Sequence, residues 1–133
     1  MNEQRLQSFA EFWPFYVREH RNKLNRRLHF VGTTAGLAAT AAGLLKRKPW
    51  LVAMGPVLGY TAAWIGHFFV EKNRPATFRY PLWSLRADFK MYGKILSGAM
   101  DDEVERVMAG YEAAEGNDTT ADATASQQGR GAN

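Results

Sequence analysis

Two stretches of this chain carry no acidic or basic side chain other than histidine: Leu28 to Leu45 and, after Lys46-Arg47-Lys48-Pro49, Trp50 to Val70. A helix rises 1.5 Å per residue, so about 20 residues cross the apolar layer of a bilayer, and both stretches approach or reach that length. The first is marginal in energy. Its Phe30, Val31, Leu37, Leu44 and Leu45 supply about −1.5 to −3 kcal/mol in all, at about −0.3 to −0.6 each, and its Gly, Thr and Ala residues add little. The second holds Leu51, Val52, Val57, Leu58, Ile65, Phe68, Phe69 and Val70, should insert more readily, and can carry the first with it as a hairpin. Each stretch has a small-xxx-small spacing, Gly32/Gly36 and Gly55/Gly59, which lets helix backbones approach closely in lipid. A soluble helical hairpin buried in a dimer core has the same pattern, and a homo-oligomer stays open on either reading.

The charges bracket these stretches. Of 133 residues 17 are Lys or Arg and 13 are Asp or Glu, a net charge of +4. Arg5, Arg18, Arg21, Lys23, Arg26 and Arg27 precede the hairpin and Lys72, Arg74, Arg79, Arg86 and Lys90 follow it, against three basic residues in its turn. The positive-inside bias therefore predicts an integral membrane protein with both termini in the cytoplasm. Basic residues broken up by long neutral runs, with no reader motif, argue against a nucleic-acid partner. No cysteine is present, which excludes disulfides, thiolate clusters and a cysteine nucleophile, and leaves His, Asp, Glu or Asn to hold any metal. The first fifteen residues lack a basic start, an apolar run and a small-residue cleavage site, so no signal peptide is expected.

The flanks read as helices. Ser8-Phe9-Ala10-Glu11 has the form of a capping box, after which Phe9, Phe12, Trp13, Tyr16 and His20 recur on one face, with Pro14 as a site of bending. Such rings suit a membrane interface, although a helix packed on a core has the same pattern. After Pro81, the residues Leu85, Phe89, Tyr92 and Leu96 make one face and Arg86, Lys90 and Lys94 another, as in a helix lying on an anionic lipid surface. A short helix follows from Asp101, with Val104, Val107, Met108 and Tyr111 on one side. Beyond Gly116 the chain is too polar and small to bury anything. The expectation is an all-α protein with one helical membrane domain over residues 1–115: a hairpin with spans 28–45 and 50–70, flanking amphipathic interfacial helices, and a disordered tail over 116–133.

All three histidines lie at the open end of this hairpin. An antiparallel pairing puts the start of the first span beside the end of the second, which makes His29 and His67 neighbours. Glu71 follows His67 by four residues, one α-helical turn, and Asn25 precedes His29 by the same interval. His20 is nine residues from His29, on the opposite face of a continuous helix, so a break around Asn22 to Asn25 is required if it is to join them. Three imidazoles and a carboxylate converging at a polar membrane edge suit a divalent metal such as Fe(II) or Zn(II), and spacing alone does not choose between them. Glu71 is open to two roles, fourth ligand or hydrogen-bond acceptor fixing a liganding imidazole. Each histidine taken singly also fits an interfacial anchor bonded to a backbone carbonyl.

Tyr16-xxx-His20-xxxx-Asn25-xxx-His29-xx-Gly32, followed by Gly66-His67, Phe69, Glu71 and Pro75-Ala76, resembles the two signatures of the 2-hydroxy fatty acid dioxygenase family. The resemblance covers about residues 9 to 97. It implies an Fe(II) enzyme that cleaves a 2-hydroxy fatty acid between C1 and C2 with O2, leaving an acid one carbon shorter. It also implies iron ligands at His20, His29 and His67. Catalytic support is expected from Glu71 and Asn25, and a substrate carboxylate is expected to meet Arg21, Lys72 or Arg74 while its acyl chain lies along the small-residue hairpin among membrane lipid. Two other classes fit parts of the pattern: a haem protein with His29 and His67 as axial ligands, and a non-catalytic membrane scaffold.

Overall fold

The computed structural model describes residues 5–128, all of whose regular structure is helical. Helix α1 (Phe9–Arg18) starts where Ser8 Oγ accepts from Glu11 N at 3.2 Å, while Glu11 Oε2 reaches back to Gln7 N at 2.9 Å. The box closes one residue earlier than the Ser8 backbone, still satisfying two donors the helix leaves open. Pro14 is accommodated within α1. Its aromatic face is buried: Phe12, Trp13, Tyr16 and Val17 pack with Ala76, Tyr80, Ala87, Met91, Met100 and Val107 in the core cluster. Packing on a core, one of the two uses the pattern allowed, is the one this face has.

Helix α2 (Lys23–Leu45) begins a turn earlier than the uncharged run, because Asn22 caps it by accepting from Leu24 N at 2.9 Å. The required break therefore falls over Glu19–Asn22, and Asn25 belongs to the first turn of α2. Helix α3 (Pro49–Ile65) starts at the proline that its missing N–H suits to a first helical position. Between them, Lys48 N returns to Gly43 O at 2.8 Å and Arg47 takes a left-handed conformation (φ 52°). The two helices pack backbone against backbone. A Cβ on Gly36 would lie 2.6 Å from the Gly55 carbonyl oxygen, so even alanine forces the helices apart there.

Lys23–Leu45 and Pro49–Glu71 are long and apolar enough to cross a membrane. Their outer faces expose Val31, Leu44, Leu45, Trp50, Val57 and Phe69, the last at 76%. Continuous apolar surface of this extent fits lipid or a partner protein better than water.

The chain leaves α3 through a π-helical segment, Gly66–Glu71, ending at Lys72 in the left-handed region (φ 58°), and a 3-10 turn, Ala76–Phe78, leads into α4 (Pro81–Leu96). Helix α4 buries Ser84, Ala87 and Met91 and exposes Leu82, Leu85, Phe89 and Leu96, so its apolar stripe faces outward as an interfacial helix requires. Helix α5 (Met100–Gln128) carries Asp101, Asp102 and Glu103 in its first turn, where acids complement the helix dipole. Trp13 Nε1 donates to Glu103 Oε1 at 2.6 Å and ties α5 to α1. From Glu112 to Asp118 every residue is exposed, and the helix continues to Gln128. Residues 129–133 of the expected tail lie outside the described residues.

Candidate metal centre

Three elements deliver one histidine each: His20 from the turn after α1, His29 from the second turn of α2, and His67 from the π segment. All three are buried. His20 points inward because Arg26, itself buried, holds the turn behind it, donating from Nη1 to the carbonyl oxygens of His20 (2.9 Å) and Arg21 (2.6 Å). Its Nη2 pairs with Asp101 Oδ1 at 2.7 Å, and Lys23 takes the other oxygen at 2.7 Å. These two cations hold the Asp101 carboxyl below its ordinary range. At the same place Gly66 lies against Asn25, and a Cβ there would collide with Asn25 Oδ1.

The three rings meet edge to face. His20 Nε2 is 3.2 Å from His29 Nε2, which is 3.3 Å from His67 Nε2. What these nitrogens carry is decided by the partners of the other ring nitrogens. His20 Nδ1 lies 2.7 Å from the Tyr16 carbonyl oxygen, which only accepts, so Nδ1 holds the proton. Asn73 Nδ2 donates to the carbonyl (3.0 Å) and Oε2 (2.9 Å) of Glu19, so its oxygen faces His67 Nδ1 at 2.7 Å, and that nitrogen must donate. His29 Nδ1 faces Asp88 Oδ1 at 3.6 Å, an oxygen that also accepts from Tyr16 OH. In the neutral rings His20 and His67 therefore present Nε2 lone pairs toward His29 Nε2, and His29 presents a third when its proton sits on Nδ1 beside Asp88. Burial, reinforced by the neighbouring imidazoles, holds His20 well below its ordinary pKa, so protonation there does not relieve the clash of lone pairs.

A cation does relieve it. Two ligands about 2.0–2.1 Å from one ion at angles of about 90–110° lie about 3 Å apart, in line with the two separations above. The ligand atoms of these three histidines all fall within 4.8 Å of one another, and among the described residues this is the group that could hold a metal. The donor set and its outer partners fit a divalent transition metal with positions left for other ligands.

Asp88 carries a further consequence of burial. Desolvation raises its carboxyl to about 6, against the opposing hydrogen bond from Tyr16, and the Tyr16 phenol is pushed well above its ordinary value by burial and by Asp88. Tyr16 also stacks on His20, with ring centroids 4.0 Å apart.

The remaining predicted residues fall elsewhere. Glu71 does not join the nitrogens: its Oε1 accepts from Asn22 N at 2.6 Å and lies 3.5 Å from Asn25 Nδ2. A π-helix bonds i to i+5, so a residue four positions on is no longer directly above, and Glu71 is carried round toward the start of α2. Arg21, Lys72 and Arg74 are exposed, Arg74 lying over the Phe78 ring at 5.7 Å. None of the three lines either cavity at the histidines.

The larger of these cavities is a groove of about 340 Å³ running from His29 and Asp88 along Gly36, Gly55 and Gly59, with Leu85 and Phe89 as its other wall. Asp88, Asn73 and Ser84 were not singled out by the sequence. Ser84 and Asp88 stand four apart on the inner face of α4, a polar interruption that could have drawn notice; Asn73 follows His67 at no helical interval and gives no such signal.

The family model for 2-hydroxy-palmitic acid dioxygenase Mpo1-like proteins matches residues 6–100. No curated protein and no solved structure matches the chain. With the match spanning most of its length, the chain belongs to the Mpo1-like family.

Proposed function

We propose that this Mpo1-like chain is an iron(II)-dependent dioxygenase of a cellular membrane, shortening 2-hydroxy fatty acids by one carbon. The observation that carries this reading is the convergence of three Nε2 atoms, with His20 and His67 fixed by acceptors on their rings' other nitrogens and His29 facing Asp88. His20, His29 and His67 hold the metal. Bound there, iron(II) would supply positive charge for the substrate's hydroxyl and carboxylate and a redox-active centre for O2, the electrons that reduce O2 coming from the 2-hydroxy acid, which leaves as the shorter acid and CO2.

The chain's own residues do the rest. The groove takes the acyl chain: its volume of about 340 Å³ falls within the ~300–1,000 Å³ of small-molecule sites, and its walls are glycine, leucine and phenylalanine. It opens onto His29 and Asp88, which sets the polar end of the substrate against the histidines. Asp88 orients the His29 ring and Asn73 that of His67. Asn25 and Glu71 act at one remove, by locking the start of α2 to the π segment, which sets the His29–His67 separation. Arg21, Lys72 and Arg74 meet the carboxylate at the surface, before it enters. The apolar hairpin lies in lipid with both termini on the cytoplasmic side.

A haem reading places His29 and His67 on opposite faces of a wide planar ring. Their Nε2 atoms stand 3.3 Å apart with His20 against them, which leaves no room for one. A scaffold reading predicts that His67→Ala changes nothing measurable. The test is O2 uptake by the iron-loaded protein with 2-hydroxypalmitate, the product being identified by mass. Uptake with release of the acid one carbon shorter supports the proposal; iron bound without uptake refutes the reaction and leaves the centre.

A further inference from the structure

A second cavity touches the same nitrogens. It measures about 10 Å³ and is bounded by His20, His29, His67, Tyr60, Asp88 and Ser84, with Pro75 and Ala76 behind them. About 10–15 Å³ on this measure is room for one water-sized ligand, provided polar partners surround it. The partners are present, and one of them is unusual. Ser84 is 1% exposed, yet its hydroxyl has no partner among the described residues.

A helical serine or threonine has an easy remedy, returning its hydroxyl to the carbonyl four residues earlier. Thr34 does this, bonding the Phe30 carbonyl at 2.8 Å. Ser84 does not use the Tyr80 carbonyl, although the backbone bond from Ser84 N to that oxygen is intact at 2.9 Å. Ser84 is one of the residues that line the small cavity. A buried hydroxyl left unbonded costs its full desolvation, so such a group points to a ligand that completes it.

We propose that the small cavity takes, beside the metal, one oxygen-donor ligand of water size, and that Ser84 is its hydrogen-bonding partner within the protein. The inference rests on the reading of His20, His29 and His67 as a metal centre. It adds a division of labour: the acyl substrate arrives along the groove lined by Leu85 and Phe89, and the small ligand sits in the cavity lined by Ser84. The two spaces share His29, Tyr60, Ala63 and Asp88, so both occupants reach the same centre. Ser84 is a positioning residue in this account, since it holds the small ligand and leaves the metal to the imidazoles.

The test uses the full-length chain in detergent, loaded with cobalt(II), whose visible absorption reports its ligands, and titrated with fluoride, a single-atom acceptor close to water in size. Wild type should bind fluoride saturably. Ser84→Ala should weaken that binding about three- to tenfold, the worth of one hydrogen bond, while Ser84→Thr restores it. Cobalt uptake by Ser84→Ala should equal that of wild type, because the imidazoles hold the metal. Unchanged fluoride affinity in Ser84→Ala or no fluoride binding by cobalt-loaded wild type would each overturn the subsite and leave the metal centre standing. Wild type that takes up no cobalt would overturn both.

Discussion

Replacing Asn73 by leucine tests the lone-pair argument at a residue that is not itself a ligand. The amide makes three hydrogen bonds: its oxygen to His67 Nδ1 at 2.7 Å, and its nitrogen to the Glu19 carbonyl and carboxylate at 3.0 and 2.9 Å. Leucine keeps the approximate volume and removes all three. The His67 ring then loses the acceptor that keeps its proton on Nδ1, and the tautomer with Nε2 protonated, useless for binding, becomes accessible. Loss of such an outer partner typically lowers metal affinity about 10–100-fold. Leaving the His67 Nδ1 proton and the Glu19 carbonyl without partners should also cost about 1–3 kcal/mol of stability in the metal-free protein. Asn73→Asp separates the two effects, because a carboxylate still accepts from His67 but repels Glu19: metal affinity should fall less than in the leucine variant while stability falls as much or more. Chelator competition gives the affinity and thermal denaturation the stability. Tight metal binding by Asn73→Leu, equal to wild type, would refute the claim that outer partners set these tautomers.

Three further outcomes follow from the geometry. Gly66→Ala puts a methyl into Asn25 Oδ1 at a fully packed position and should cost about 1–3 kcal/mol, read as a lower melting temperature with metal content reduced in parallel. Gly59→Leu projects into open groove, since a Cβ there meets only the Gly32 oxygen at 4.0 Å; metal content should hold while turnover of long 2-hydroxy acids falls at least about tenfold and short ones are spared, as kinetics across chain lengths will report. Glu103 is held at about 2 by Arg106 and Trp13 against the cost of burial, so its folded pKa is depressed; the stability it contributes is complete above about 4.5 and is lost as pH falls toward 2. Acid should therefore undock α5 from α1 in that window, seen as a Trp13 fluorescence change that Glu103→Gln abolishes.

The parts of this molecule legible in the sequence are those governed by local periodicity. The uncharged runs, their small-residue seam and the meeting of His29 with His67 follow from chain antiparallelism alone, and the need for a break before α2 follows from the nine residues between His20 and His29. Glu71 follows His67 by four residues, one turn of an α-helix, but the backbone there is π-helical and carries it to the start of α2. The aromatic face of α1 was equally suited to lipid and to a core, and only the docking of α4 and α5 decides between them. Asn73 follows His67 at no helical interval, and the Ser84/Asp88 pair marks a polar side of α4 without saying what that side meets. Arg21, Lys72 and Arg74 suit a carboxylate by charge and by their nearness to the histidines in sequence, and both cavities at the centre are lined without them.

The central claim is that His20, His29 and His67 bind one iron through Nε2. X-ray absorption at the iron edge of anaerobically purified protein tests it most directly, with iron content measured on the same samples. The account predicts about one iron per chain, a first shell containing three imidazole nitrogens at about 2.1 Å, and loss of that signature in each of the three single alanine variants. An iron shell without imidazole scattering, or iron retained undisturbed when all three histidines are replaced together, would contradict it.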